Sequence, residues 1–128
     1  MYHDTEGLSN SGAAYVFEKQ NGSWSEIQKI VANDRQIGDR FGYGTSIYED
    51  YITIGADSED PEGAYNAGSV YIFEKLSNGT WIEKIKIYPN DKESNDNSGK
   101  SVSITDKYLI FSANDKNNKA GAAYIFKK

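Results

Sequence analysis

Short runs of alternating polar and apolar residues, each bounded by Asn, Asp, Ser or Gly, follow one another along the chain. No period of 3.6 residues is sustained, so the pattern predicts strands and turns rather than helices. Tight turns separate several of these runs, as at Tyr48-Glu49-Asp50 and at Asn21-Gly22. Asn-Gly between two alternating runs is a strong hairpin signal, because both turn residues need a positive φ.

The pattern occurs twice, with corresponding residues 57 positions apart. Asn21-Gly22 matches Asn78-Gly79, and Trp24 matches Trp81. A third signal, Gly-x-x-Tyr-x-Phe, opens residues 12–19, 68–75 and 121–128. Because a fixed period marks a repeat architecture, we divide the single domain 1–128 into units at residues 12–67 and 68–120, followed by a partial third copy at 121–128.

Each unit contains four predicted strands. The opening motif is strand three, and the run that contains the tryptophan (24–30 or 81–87) is strand four. Strand one (42–47 or 100–104) and strand two (51–56 or 108–113) complete the set. Four short antiparallel strands in about 50 residues are typical of a β-propeller blade. The predicted fold class is therefore all-β, with about two four-stranded blades plus one strand and a ring closed by oligomerisation or by a longer parent chain. A β-sandwich built by duplication is the alternative.

The lengths of the connections predict where a ligand would bind. Tight turns join strand one to strand two and strand three to strand four, whereas long polar loops make the other connections. In an up-and-down blade this places every long loop at one end, where binding residues usually lie. These loops are residues 31–40, 57–67, 88–98 and 112–120.

Composition excludes several classes of protein. The net charge is −5, and no Lys/Arg cluster is present, which argues against nucleic-acid binding. No apolar run approaches the length of a membrane span, so membrane insertion is not expected. The absence of cysteine rules out disulfides and thiolate zinc sites. Residues 1–12 are polar and lack a signal-peptide core, which indicates either a cytoplasmic protein or a piece of a longer precursor.

Two acidic loops hold the candidate ligand-binding residues. Carboxylates at this density suit a divalent cation, a cationic ligand or a carboxylate pair for glycoside chemistry. The simpler interpretation is a solvated loop, in which reversing the four charges of the first loop leaves the fold intact. No catalytic residue is expected. The candidates are Asp57, Glu59, Asp60 and Glu62 in the first loop, and Asp91, Glu93 and Asp96 in the second.

Other chemical signals are weaker. Residues 94–101 end in Gly-Lys-Ser like a phosphate-binding loop, but Ser94 replaces the first glycine of that motif and a strand is predicted to follow. His3 is the only histidine and lies in the terminal segment, so a catalytic triad is not expected. Trp24 and Trp81 recur once per unit, which favours packing or edge-covering residues over sugar-stacking platforms.

Residues 39–57, DRFGYGTSIYEDYITIGAD, resemble an FG-GAP repeat, the blade unit of integrin α-subunit propellers and of many bacterial surface proteins. Phe41-Gly42 supplies the first part of the signature, and Gly55-Ala56-Asp57 supplies the second. The other copy is degenerate, with Ser98-Gly99 and Ser112-Ala113-Asn114 at these places. The resemblance implies a propeller and a non-enzymatic binding or adhesion module of a secreted or cell-surface protein.

The resemblance leaves partners and alternatives open. It implies a protein or glycan ligand, and either a homo-oligomer or a place in a larger propeller. The alternatives are a lectin assembled from two-blade chains and an accessory domain of a secreted hydrolase. Integrin-type repeats often carry an Asp-rich calcium loop between strands one and two. Here that turn has three residues, too few for six or more oxygen ligands, so calcium is possible but not expected.

Overall fold

The computed structural model describes residues 7–128, which form nine strands in three antiparallel sheets. The sheets are β1-β2, β3-β4-β5-β6 and β7-β8-β9, with strands paired in chain order. The strand bounds are β1 Ala14–Gln20, β2 Ser23–Ile30, β3 Phe41–Tyr48, β4 Tyr51–Ala56, β5 Ser69–Lys75, β6 Trp81–Ile87, β7 Ser98–Ile104, β8 Tyr108–Ala113 and β9 Ala122–Lys127. A short turn that we label α1 (Lys116–Lys119) lies between β8 and β9, and its residues Asn117 and Asn118 have left-handed backbone conformations, with φ of 55°.

The sheet β3-β4-β5-β6 is a complete four-stranded blade, which we call the central blade. The pair β1-β2 supplies strands three and four of a preceding blade, and β7-β8-β9 supplies strands one to three of a following one. The predicted all-β fold with propeller-type blades is thus confirmed. The central blade takes β3 and β4 from the first repeat unit and β5 and β6 from the second. Three stacked sheets do not correspond to the two sheets of a sandwich.

Apolar side chains from both faces of the central blade form the core. On one face, Tyr71 and Phe73 pack with Phe41 in a cluster that also receives β1 and β2. On the other face, Val70 and Ile72 pack with residues of β8. Successive residues of β5 therefore point to opposite sides, and both sides are covered. Burial on both faces explains why β5 reads as a nearly continuous apolar run.

Glycines allow the sheets to approach each other closely. A Cβ atom on Gly12 would lie 2.0 Å from the carbonyl oxygen of Phe41, and one on Gly68 would lie 2.2 Å from that of Ser98. A Cβ atom on Gly55 would lie 1.9 Å from the carbonyl oxygen of Gly99. No side chain fits at these places, because the neighbouring atom belongs to the backbone. The repeated glycines therefore fix how one sheet stacks on the next.

The two Asn-Gly turns are not identical. Asn21 and Gly22 take φ values of 49° and 85°, as the hairpin interpretation requires. In the second copy only Gly79 has a positive φ, of 88°, and the side chain of Asn78 accepts a hydrogen bond from the Thr80 amide at 3.0 Å. The two copies thus form their hairpins by different turns. Among the described residues, no helix has the length and apolarity needed to cross a membrane.

Candidate functional site

The long loops lie at one end of the sheets and are hydrogen-bonded to one another. The Ser58 amide donates to the carbonyl of Asp39 at 3.4 Å, and the Asn95 amide donates to that of Tyr65 at 2.7 Å. The Asp115 amide donates to the carbonyl of Asp96 at 3.3 Å. Each loop is therefore tied to a loop of the same or the neighbouring sheet, and the predicted grouping of the long loops is confirmed.

A partly buried ion cluster, here called the Lys86 cluster, joins two of these loops to the central blade. The Lys86 ammonium lies 2.8 Å from Asp34 and 2.6 Å from Glu59. Tyr71 donates its hydroxyl to Asp34 at 2.9 Å, and Ser69 donates to Glu59. Burial raises the pKa of Tyr71, so the hydroxyl stays protonated as a donor. Burial also opposes ionisation of Asp34, but the bonds from Lys86 and Tyr71 outweigh it and lower its pKa.

A second cluster, the Lys116 cluster, occupies the corresponding place beside the third sheet. The Lys116 ammonium lies 3.0 Å from the carboxylate of Asp96 and 2.6 Å from the carbonyl oxygen of Asp91. Tyr124 donates its hydroxyl to Asp91 at 2.8 Å. Asp91 and Tyr124 thus repeat the Asp34–Tyr71 pair. The cation comes from α1 here, whereas in the central blade it comes from strand four.

The expectation that the acidic loops are solvated is wrong for three of the seven candidates. The exposed fraction is 0% for Asp57, 6% for Glu59 and 3% for Asp96. The Asp57 carboxylate lies 3.4 Å from the Arg40 guanidinium, and burial raises its pKa. Reversing the charges of Asp57 and Glu59 would therefore place like charges together in a buried position, so the fold is not expected to tolerate the change.

The other four candidates are exposed and lie apart. Asp60 accepts a hydrogen bond from the Asn66 amide at 2.6 Å, and Glu62 pairs with Lys92 at 2.6 Å. Asp91 belongs to the Lys116 cluster, while Glu93 reaches the solvent. The structure therefore does not join the seven carboxylates into one constellation. Within residues 7–128, no three His, Asp or Glu side chains are arranged to hold a metal ion.

A polar cleft of about 390 Å³ opens between residues 93–97 and 115–119. We call it the loop cleft. Its walls carry several amide side chains together with the charged groups of Glu93 and Lys119. Four of its asparagines have φ between 50° and 70°, a region that asparagine tolerates better than most residues. The amides that line the cleft are Asn95, Asn97, Asn117 and Asn118.

Sequence reasoning missed the cations that neutralise the acidic loops. Arg40, Lys86 and Lys116 were not candidates, although each is the partner of a buried carboxylate. The repeat contained one signal, because Lys116 stands 57 positions after Glu59. A lysine in the second copy at the position where the first copy has a glutamate indicates that the cation of the second cluster comes from the loop itself rather than from a strand.

The remaining chemical signals have structural explanations. Trp81 is buried at 5% exposure, as a packing residue should be, whereas Trp24 is 69% exposed. Lys100 lies in β7 and pairs with Asp115 at 3.2 Å, so no helix follows the Gly-Lys-Ser sequence. His3 lies outside the described residues.

Asp39 should make stability depend on pH. Burial raises its pKa to about 6, with Glu59 and Asp34 adding to the effect. The folded state thus binds more protons than the unfolded state between about pH 4 and pH 6, so this residue lowers stability as pH rises through that window. Between pH 4 and pH 7, we expect the free energy of unfolding of Asp39→Asn to rise by up to about 3 kcal/mol relative to that of wild type. Urea unfolding of both proteins at both pH values measures this change. A difference between variant and wild type that is the same at pH 4 and pH 7 would contradict the expectation.

Three stacked sheets of consecutive antiparallel strands, with loops gathered at one end, define a repeat protein built of β-propeller blades. The sequence profile of the FG-GAP repeat matches residues 24–73 and 81–126. The chain therefore belongs to the FG-GAP repeat family, whose repeats build β-propeller-type binding modules. Each match begins in strand four of one sheet and ends in strand three of the next. No curated protein matches the chain significantly.

Proposed function

We propose that the chain is a non-catalytic binding module of a secreted or cell-surface protein, and that its long-loop end receives a protein or glycan ligand. FG-GAP repeats occur in extracellular and surface proteins, which supports this location. The observation that carries the proposal is the loop cleft, whose walls are fixed by buried ion pairs of the kind that joins Lys116 to Asp96. Loops held on a rigid scaffold are the usual place for binding residues.

The exposed charges around the cleft are the ligand contacts in this proposal. Glu93 and Lys119 stand at the cleft, and Asp60, Glu62 and Asp91 extend the surface at the same end. Asp57, Glu59 and Asp96 act as scaffold, because their carboxylates are buried against cations or loop amides. The ligand then meets a mixed surface of amides and separated charges.

A pair of charge reversals tests the proposed face. Glu93→Lys with Lys119→Glu changes the cleft without altering net charge, and exposed substitutions of this kind usually cost less than about 0.5 kcal/mol. We expect this double variant to keep its unfolding midpoint and to lose at least about tenfold in binding to a glycan array and to a panel of extracellular proteins. The matched control is Glu49→Lys with Lys107→Glu, at the tight-turn end.

The control separates the two ends of the molecule. Binding that survives the cleft variant but disappears with the Glu49/Lys107 variant would place the ligand at the tight-turn end and refute the proposed face.

The exposed indole of Trp24 favours a lectin as the second candidate, because an exposed aromatic ring can stack on a sugar. In that case Trp24→Ala should abolish glycan binding, whereas the cleft variant should leave it unchanged. The two candidate functions therefore predict opposite results for the same pair of variants.

A further inference from the structure

β1 and β9 are nearly the same strand. Residues 12–19 read GAAYVFEK and residues 121–128 read GAAYIFKK. Both act as strand three of their sheets, yet each sheet is incomplete on a different side. Among the strands formed by residues 7–128, none pairs with the edge of β1 that faces away from β2, and none pairs with the outer edge of β9.

A groove lies beside the free edge of β1. It has a volume of about 480 Å³ and runs between β1 and the surfaces of β3 and β4. Its walls include Val16, Ile47 and Ile54. In the complete blade, strands one and two occupy the corresponding place next to strand three. The groove thus lies where strands one and two of a complete blade would stand, and no strand of residues 7–128 occupies that position.

The β7-β8 hairpin has the residues to fill this groove. Ile110 in β8 is 41% exposed, while Thr53, its counterpart in β4, is fully buried against the next sheet. Within the chain, the Ile104 amide donates to the hydroxyl of Ser46 across the junction of β7 and β3. The repeat makes Ser103 the counterpart of Ser46, and Ile47 the counterpart of Ile104. If β7 of one copy lay beside β3 of another, the Ile47 amide could therefore donate to the Ser103 hydroxyl. Ile47 is 61% exposed.

The charges at the strand ends favour β1 over β9 as the partner of β8. In the central blade, Tyr51 lies opposite Glu74 and donates its hydroxyl to that carboxylate at 3.3 Å. Tyr108, the counterpart of Tyr51, lies opposite Lys127 in β9. β1 carries Glu18 at this position, so pairing with β1 restores an acceptor for the tyrosine.

The exposed aromatic face of β1 and β2 has a matching surface on the central blade. Trp24 and Phe17 are 69% and 51% exposed, although their counterparts Trp81 and Phe73 are buried at 5% and 3%. On the outer part of the central blade, Ile85 is 51% exposed, because no described residue adds a fourth strand to the third sheet to cover it. A β1-β2 hairpin added to the third sheet would cover Ile85 with these aromatic rings.

We propose that two copies of this chain exchange near-identical strands, so that the β1-β2 hairpin of one copy pairs along β8 of the other in place of β9. The result is a four-stranded blade, β7-β8 from one copy and β1-β2 from the other. The β7-β8 hairpin fills the groove, and the aromatic face of β1-β2 becomes buried. In this arrangement β9 pairs with β8 in the monomer and is displaced by β1 of the second copy when the two chains associate.

Paired cysteines test the exchange, because the chain has none of its own. Ser112 lies opposite Ala123 in the β8–β9 pair, and the repeat aligns Ala14 with Ala123. β1 and β8 lie on opposite sides of the central blade, so a link between them within one chain is excluded by distance. In Ser112→Cys/Ala14→Cys, oxidation at about 100 µM protein should therefore give disulfide-linked dimers and larger species.

The matched control is Ser112→Cys/Ala123→Cys, which should form a disulfide within one chain and lock β9 in place. Light scattering should then show wild type gaining mass with concentration, with at least a doubling by about 100 µM, while the locked variant stays monomeric. Unlinked monomers from the first pair, obtained under conditions that close the control pair, would overturn the exchange. Equal masses for wild type and the locked variant in light scattering at about 100 µM would also overturn the exchange.

Discussion

Replacing Gly55 by alanine is expected to destabilise the chain severely. The new Cβ atom would lie 1.9 Å from the carbonyl oxygen of Gly99, which belongs to the backbone of β7 and cannot rotate away. Relief requires the third sheet to separate from the central blade, and this would expose the cluster that contains Val70 and Phe111. We expect a loss of at least about 4 kcal/mol, measured by urea unfolding followed by circular dichroism.

Gly63→Ala is the matched control for this variant. Gly63 has a φ of 80°, and a Cβ atom there would meet nothing within 4 Å. The control therefore pays only for backbone strain, about 1–2 kcal/mol. A Gly55→Ala protein no less stable than the Gly63→Ala protein would show that the sheets do not stack as closely as described.

Lys116→Met is expected to destabilise the chain by about 3–5 kcal/mol, because it leaves a buried carboxylate without its cation. Lys116 is 4% exposed and Asp96 is 3% exposed, with 3.0 Å between their charged groups. Burial alone would lower the pKa of Lys116, but Asp96 outweighs it and holds the pKa above its ordinary value. The stabilisation linked to the raised pKa of Lys116 is thus complete at neutral pH and is lost as pH rises through that raised pKa.

The control for the buried pair is an exposed one. Lys84 pairs with Glu74 at 2.8 Å, with 59% of the lysine side chain exposed. Surface pairs of this kind contribute about 0.2–1 kcal/mol, so Lys84→Met should shift the urea midpoint only slightly. Equal losses for the two variants would mean that the Lys116 cluster is solvated and does not fix the loop cleft.

The strands could be predicted from the sequence because their signals are local. The bounds of β4, β6 and β8 agree with the runs at 51–56, 81–87 and 108–113. Alternation sets the strand period, turn residues end each strand, and the repeat of 57 residues shows each signal twice. Grouping the strands into sheets also followed, since consecutive antiparallel strands pair with their neighbours.

The burial of the loops could not be predicted in this way. Asp57 and Glu59 are buried because other loops and a lysine of β6 close over them, and those contacts join residues distant in sequence. The burial of Trp24 and Trp81 could not be predicted from local sequence either. Their local sequences are similar, yet among the described sheets a neighbour covers Trp81 and none covers Trp24. The local alternation of polar and apolar residues predicts which side chains lie on each face of a sheet. Whether that face is buried depends on which other sheet packs against it.

Hydrogen exchange on the intact chain tests most directly whether one complete blade is held between two incomplete ones. β1, β5 and β9 have similar sequences, but of these three strands only β5 is paired on both edges and covered on both faces by residues of the segment 7–128. At about 1 µM, where self-association is weakest, we expect β5 amides to exchange near the rate of global unfolding and those of β1 and β9 to exchange at least about 100-fold faster. Equal protection of the three strands would contradict the stacked-blade fold.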